Sequence, residues 1–367
     1  MNVFLVSVVL IHFFQPLAVR LGFVDVPAGR KRHEQTTPTC GGIAILLAIA
    51  VAALFGALAA SLVVCLWVLG AACIGAADDL RGLPATGRLI GYGMAALLLF
   101  VTHEIPVVAF GDMARLPGDI MPTAGLVIGF GFALLLLNSI NMMDGLDGLA
   151  GGVSMSALFW LVLIASRFGA EGIAGDAQIV MAATAGFLVF NLRTAWRSRA
   201  CVFLGDAGST ALGAALAYLI LGLSGTEGGP TLPALLWLVA VPVIDTLSLI
   251  VRRFAAGRSP FSADRWHLHH LLLDLGLSHA RVTLVISAIA FVCGGVGFFG
   301  MVVGVRASVM MIGLVPLVVA HTALVLVATK GIRIEVPANS PLPPDVAPFK
   351  GSVEGTAKQP EAIRVVH

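Results

Sequence analysis

Between Leu137 and Gly152 the sequence places Asn138, Asn141, Asp144 and Asp147 at every third position, with Gly145 and Gly148 beside the two acids. On an α-helix that spacing drifts slowly around the circumference, so it predicts one contiguous polar stripe. The acid spacing does not fit an EF-hand loop. Solvated loop acids would need neither Asn138 inside the apolar run nor glycines that let a ligand approach the backbone. Asp78 and Asp79 are adjacent and followed by Arg81 and Arg88. The plainer reading is a solvated helix end balanced by those arginines. The chemical one is a pair of hard oxygen ligands or a general base.

Phe203 to Ser209, with Gly205, Asp206 and Gly208, reads as a turn feeding another apolar run. Asp206 or Ser209 would cap a helix there. Alternatively Asp206 ligates a metal while amides at the helix start face phosphate. Asp245 follows Pro242 inside an apolar run and belongs in a bundle interior. His267, His269 and His270 fall within four residues, and no Cys or carboxylate at ligand-like spacing completes a zinc site. With Arg265 beside them, they suit an anion clamp. Arg30, Lys31, Arg32 and His33 add positive charge and double as a topology signal. Together these groups describe a Mg²⁺-phosphate site at a membrane surface, in which carboxylates hold the metal and Lys, Arg and His grip phosphate oxygens. Such a site would join a lipid phosphate to a nucleotide donor.

The elements that position these residues follow from composition. Of the 367 residues 58% are hydrophobic and 11% charged, against roughly 25% charged in soluble domains. The expected fold is an all-α polytopic membrane protein. A net charge of +2 argues against nucleic acid as a partner. Cys40, Cys65, Cys73, Cys201 and Cys293 are scattered and read as reduced packing residues. The first apolar run, Asn2 to Val19, reads as a retained span and not a cleaved signal.

Apolar runs long enough to cross a bilayer lie near residues 2–19, 42–57, 60–77, 88–103, 123–141, 150–166, 177–193, 207–222, 232–251, 281–300 and 307–328. The charge-free stretch from Ile43 to Ala77 is too long for one helix and splits near Gly56 to Ser61. With about 11 transmembrane helices, nineteen of the 22 Lys and Arg fall in odd-numbered loops and the C-terminal tail, and three in even-numbered loops. Positive charge accumulates on the cytoplasmic side, so the amino terminus is expected outside and the carboxy terminus in the cytoplasm. All the polar motifs above then share the cytoplasmic face. The domain division is a membrane domain over 1–330 and a Pro-rich, disordered tail over 331–367.

The motifs Asp25-Val-Pro27, Arg30 to His33 through Pro38-Thr-Cys-Gly-Gly42, Asp78-Asp79, Asn138 to Gly148, Phe203 to Gly213, Pro242 to Thr246 and Arg252-Arg253 through His270 run across most of residues 20–280. In order and spacing the chain resembles the bacterial polyprenyl-phosphate N-acetylhexosamine-1-phosphate transferases. It is more similar to the undecaprenyl-phosphate GlcNAc-1-phosphate branch than to the phospho-MurNAc-pentapeptide branch, which usually carries three consecutive histidines. The resemblance implies transfer of a sugar 1-phosphate from a UDP-sugar to a polyprenyl phosphate at the bacterial inner membrane, with Mg²⁺, or Mn²⁺ in its place, as cofactor. It implies Asp206 as the principal metal ligand, and Asp78 or Asp79 as the group that deprotonates or positions the lipid phosphate.

By the same resemblance Gly145, Leu146 and Asp147 form a uracil-recognition turn with Phe203 stacking on the base. Asp144 belongs to the polar network beside that turn, and Asn138 and Asn141 of the polar stripe are expected among the substrate-binding residues. Lys31, Arg265, His267, His269 and His270 are implied as diphosphate or sugar contacts. The sequence departs from the family in having Leu80 after the acid pair, and Arg88 where a basic residue often follows that pair more closely. A one-step displacement and a route through an aspartyl intermediate both stay open, as do the identity of the sugar and a homodimer. An ion-coupled transporter, the alternative from another class, would spread ionisable residues through span centres and both faces.

Overall fold

Small residues decide where the helices of this chain meet. In a bilayer no hydrophobic force drives helices together, so close backbone approach at Gly and Ala carries the association. The helix Gly205–Ser224 (α8) is built that way, with Gly208, Ala211, Gly213, Ala214, Ala215 and Ala217 along its length, and it is buried along most of that length. A Cβ at Gly208 would overlap the backbone of Gly42, and one at Gly75 the backbone of Asp206. At Gly213 it would lie 2.6 Å from the Cα of Leu137. Three other helices are thereby brought backbone to backbone with α8.

The computed structural model describes residues 2–25, 36–102, 109–113, 120–260 and 266–331. Before α8 come α1 (Val3–Leu21), α2 (Gly41–Leu54), α3 (Leu62–Arg81), α4 (Ala85–Val101), α5 (Ile120–Met143), α6 (Leu149–Arg167) and α7 (Glu171–Asn191). After it come α9 (Leu232–Leu235), which passes through a 3₁₀ turn into α10 (Ala240–Ala255), then α11 (Leu268–Asp274), α12 (His279–Val302) and α13 (Ala307–Gly331). Among the described residues, nine helical segments are long and apolar enough to cross a membrane, counting α9 to α10 as one, and α2 and α4 are shorter apolar helices. Each predicted span coincides with one of these eleven. The split of the charge-free stretch also holds, at a turn where Gly56 takes φ 68°.

Two short strands, β1 (Val24–Asp25) and β2 (Thr37–Pro38), pair antiparallel. Arg30, Lys31, Arg32 and His33, between them, and Arg265 lie outside the described residues, as does the predicted disordered tail from residue 332 onward. All five cysteines are free of disulfides. Burial pushes the Cys40 thiol up to about 11, which suits a packing residue and not a nucleophile.

One sequence expectation fails here. Asn138, Asn141, Asp144 and Asp147 do not form a continuous helical stripe, because α5 ends at Met143. Residues 144–148 turn sharply, and Gly148 takes φ 79°, a left-handed conformation that only glycine adopts without strain. The turn redirects Asp147 away from the line of the two asparagines.

The acids at the opposite end of the bundle close loops. Asp176 Oδ1 accepts the Ala59 N–H at 2.7 Å, and Asp112 Oδ1 accepts the Ser308 N–H at 2.9 Å near the start of α13. The hydroxyl and amide of Ser308 hold the Asp112 carboxyl below the usual carboxylate range.

Candidate active site

At the other end, the last turn of α3 meets the first turn of α8. Asp79 Oδ1 accepts the Asp206 N–H at 3.1 Å, and its Oδ2 accepts the Ala207 N–H at 3.3 Å. Leu204, which precedes α8, makes no side-chain cap, so Asp79 caps the helix from 127 residues away in sequence. Those two amides, expected to face phosphate, are therefore occupied by a carboxylate. Gly205, at φ 73°, leaves room for this approach, since a Cβ there would lie 2.9 Å from Asp79 Oδ2.

Asp78 is held separately. Its Oδ1 accepts the Leu83 N–H at 2.6 Å, and its Oδ2 pairs with Arg88 at the start of α4. The same Arg88 nitrogen lies 3.6 Å from Asp206 Oδ2. Asn141, on the last turn of α5, donates to Asp206 Oδ1 and to Ser209 Oγ, both at 2.9 Å. Asn138, one turn earlier, donates instead to Leu134 O of its own helix at 2.7 Å. Asp144 stands on the turn just outside the membrane segment. Desolvation, then the neighbouring carboxylates of Asp206, Asp79 and Asp147, push its carboxyl well above the usual range. Arg88 thus sits between Asp78 and Asp206, and the carboxylates of Asp79 and Asp144 are close enough to Asp206 to repel it.

Asp147 faces the α7–α8 connection, where its Oδ2 accepts Arg193 Nε at 2.7 Å and the Ala200 N–H at 3.0 Å. The turn is fixed from below by Asn191, whose Oδ1 accepts the Gly148 N–H and whose Nδ2 donates to Val202 O, at 2.7 and 2.8 Å. Leu146 is buried, while Gly145 is exposed. Phe203 is half-buried. Its N–H donates to Pro38 O at 2.8 Å and its carbonyl accepts the Gly41 N–H at 3.0 Å. The chain that follows Lys31 is therefore tied directly to the turn that carries Phe203 and Asp206.

The histidines approach from the other flank. Arg252, at the end of α10, donates to Trp266 O at 2.7 Å, and the Arg258 guanidinium lies 5.1 Å from the Trp266 ring centroid. These contacts fold the chain back so that His267 Nδ1 meets Asp245 Oδ2 at 3.1 Å. The rings of His267 and His269 are stacked at 5.4 Å and 15°, and His270 follows at 4.2 Å from His269. His269 lies against Gly145 so closely that a Cβ there would overlap its Nε2. The histidine segment and the acidic turn therefore form one continuous site. Asp245, expected in the bundle interior, is a hydrogen-bonding group there that seats His267 and the start of α11; its lone position in an apolar span did not reveal those partners. Arg88, Arg193, Asn191 and His321 were not identified as parts of the site. Of these, only Arg88 had a signal, in its proximity to the acid pair.

Among the described residues, no three His, Cys, Asp or Glu are arranged to ligate one ion. Mg²⁺ needs no such cage, because it is usually held by one or two carboxylates and substrate phosphates. The crowded carboxylate oxygens fit that mode better than they fit zinc.

Residues 59–224 match the model of glycosyl transferase family 4. The undecaprenyl-phosphate alpha-N-acetylglucosaminyl 1-phosphate transferase of Escherichia coli K12 is 30% identical over 310 residues, covering 81% of each chain. The relative of the same name from Yersinia pestis is 29% identical, over 81% of this chain and 82% of its own. The decaprenyl-phosphate N-acetylglucosaminephosphotransferase of Mycolicibacterium smegmatis is 33% identical over 352 residues, which span 82% of this chain and 83% of the relative.

Proposed function

Because the chain belongs to glycosyl transferase family 4, the polyprenyl-phosphate N-acetylhexosamine-1-phosphate transferases, we propose that it transfers GlcNAc-1-phosphate from UDP-GlcNAc to a polyprenyl phosphate. The products are a polyprenyl diphosphate sugar and UMP. One observation carries this reading within the chain: Asp78, Asp79, Asn141 and Asp206, spread over three helices, converge where α3 and α5 meet the first turn of α8. That is the end at which a lipid phosphate and a water-soluble donor can meet. The bias of nineteen Lys and Arg to three supports a cytoplasm-facing site in the bacterial inner membrane, with the amino terminus outside.

In the displacement, an oxygen of the lipid phosphate forms a bond to the β-phosphorus of the donor. The bond from that phosphorus to the bridging oxygen breaks, and UMP leaves with the electron pair. In-line transfer of this kind relies on positioning and charge neutralisation. Asp78, held by Leu83 and Arg88, is better placed than Asp79 to orient or deprotonate the lipid phosphate, because Asp79 is committed to the amides of α8. Asp206 would hold Mg²⁺ or Mn²⁺, whose contribution when bound is to neutralise diphosphate charge. Gly145, Leu146, Asp147 and Phe203 would receive the uracil, with Arg193 fixing the Asp147 carboxylate. Lys31, Arg265 and the histidines, of which His267 and His269 are buried and His270 half-buried, would contact diphosphate or sugar.

Purified protein incubated with radiolabelled UDP-GlcNAc, undecaprenyl phosphate and Mg²⁺ should give labelled lipid and equimolar UMP, and EDTA should abolish both. Labelled lipid from none of a panel of UDP-N-acetylhexosamines would overturn the proposal, and a product from another member of the panel would reassign the sugar.

A further inference from the structure

Most of α13 faces outward, with Val315, Val319, Leu326 and Val327 exposed. One stripe does not. His321, Val325 and Ala328 occupy positions i, i+4 and i+7 and so share a face. Val325 and Ala328 form a buried cluster with Leu271 of α11. His321 Nε2 lies 3.2 Å from Asp245 Oδ1. The same oxygen accepts the Leu268 N–H at 3.0 Å, while His267 Nδ1 meets Oδ2 at 3.1 Å.

Asp245 has no exposed surface, and these three donors are what its carboxylate has in place of water. A carboxylate only accepts, so His321 carries a proton on Nε2 and His267 one on Nδ1. The other ring nitrogen of His321 is buried and has no hydrogen-bond partner among the described residues. Among the described residues the polar engagement of His321 is therefore with Asp245 alone. A histidine within a lipid-facing helix is costly without such a partner, and a buried carboxylate that loses one donor of three is costly too.

We infer that His321 is a positioning residue for the transfer reaction: through Asp245 it fixes the ring of His267 and the start of α11, and so seats His269 against the Gly145 turn. Its place in the reaction rests on the transferase reading above. The contact itself does not, and the two can be tested apart.

His321→Leu removes the donor at similar volume, whereas His321→Gln keeps an N–H near the position of Nε2. In the transferase assay, His321→Leu is expected to lower kcat about tenfold or more while KM for UDP-GlcNAc changes less than about twofold, and His321→Gln to recover most of the loss. In a His267→Asn background, His321→Leu should add little, because both act through Asp245. Equal losses in the Leu and Gln variants, or independent losses that multiply in the double variant, would overturn the inference.

Amide hydrogen exchange of the full-length protein reads the same contact without turnover. Protection across residues 266–278 should fall in His321→Leu and persist in His321→Gln, with α8 unchanged in both. Should α8 lose protection in the Leu variant, His321→Asn, whose shorter N–H falls short of Asp245, takes its place. Wild-type protein that makes no lipid product while this exchange pattern holds would sink the transferase reading and leave the contact standing. Exchange in 266–278 indifferent to all three substitutions would overturn the inference whatever the activity.

Discussion

On the carboxylate flank, Gly42, Gly75, Gly208 and Gly213 bring α2, α3 and α5 against α8, and Asp79 joins α3 to the amides of α8. On the histidine flank, α10, α11 and α13 are gathered by side chains around one buried carboxylate, Asp245. The first arrangement is set by volume and backbone distance, the second by donor count. The carboxylate flank should therefore tolerate isosteric loss of charge without unfolding yet fail when a methyl group is added. The histidine flank should do the reverse.

The largest expected effect is at Asp206. Asp206→Asn preserves shape and should lower the transfer rate by about 10³-fold, on the scale of losing a principal electrostatic group, with the melting temperature in detergent nearly unchanged. A large drop in melting temperature would break the comparison at its first point. Asp79→Asn comes next. Asparagine caps a helix as well as aspartate, so stability should hold while activity falls by about 10²-fold if charge matters there, and Asp79→Ala should in addition cost about 1 kcal/mol of stability. Full activity in Asp79→Asn would reduce Asp79 to a cap.

Gly208→Ala leaves every polar group in place and should destabilise by about 1–3 kcal/mol through overpacking against Gly42. Thermal unfolding in detergent reads that cost directly. Asp245→Asn should be milder in rate, about tenfold in kcat, with hydrogen exchange rising in residues 266–278 and not in α8. A uniform rise would mean that the two flanks are not held independently. The smallest effect is expected at Arg193→Lys, which exchanges a fixed guanidinium for a mobile ammonium beside Asp147 and should raise KM for the UDP-sugar about threefold with kcat unchanged.

How far the sequence anticipated each flank follows from the same physics. The eleven apolar segments were legible because bilayer thickness sets their length, and the alternation of Lys and Arg across them brought Asp78, Asp79, Asp206 and the histidines to one end. The role of Asp79 as a cap was not legible, because its partners are amides on another helix and amides carry no residue signature. The periodicity from Asn138 to Asp147 extends one turn beyond the helix itself, because the left-handed Gly148, standing just before α6, is part of a sharp turn that an unbroken helix could not contain. His321 left no trace, since one histidine in a long apolar run has no spacing to interpret until Asp245 is seen beside it.

The contact between α13 and Asp245 also bears on when the protein becomes competent. His321 is the last of the described site residues to be translated, more than a hundred positions after Asp206. In order of synthesis, α3 and α8, which carry Asp78, Asp79 and Asp206, both precede α13. The histidines gain their final support only when α13 docks. The order of synthesis thus places the acids in the chain before the helix that completes the support of the histidines, and a chain interrupted before α13 would lack the His321 contact to Asp245.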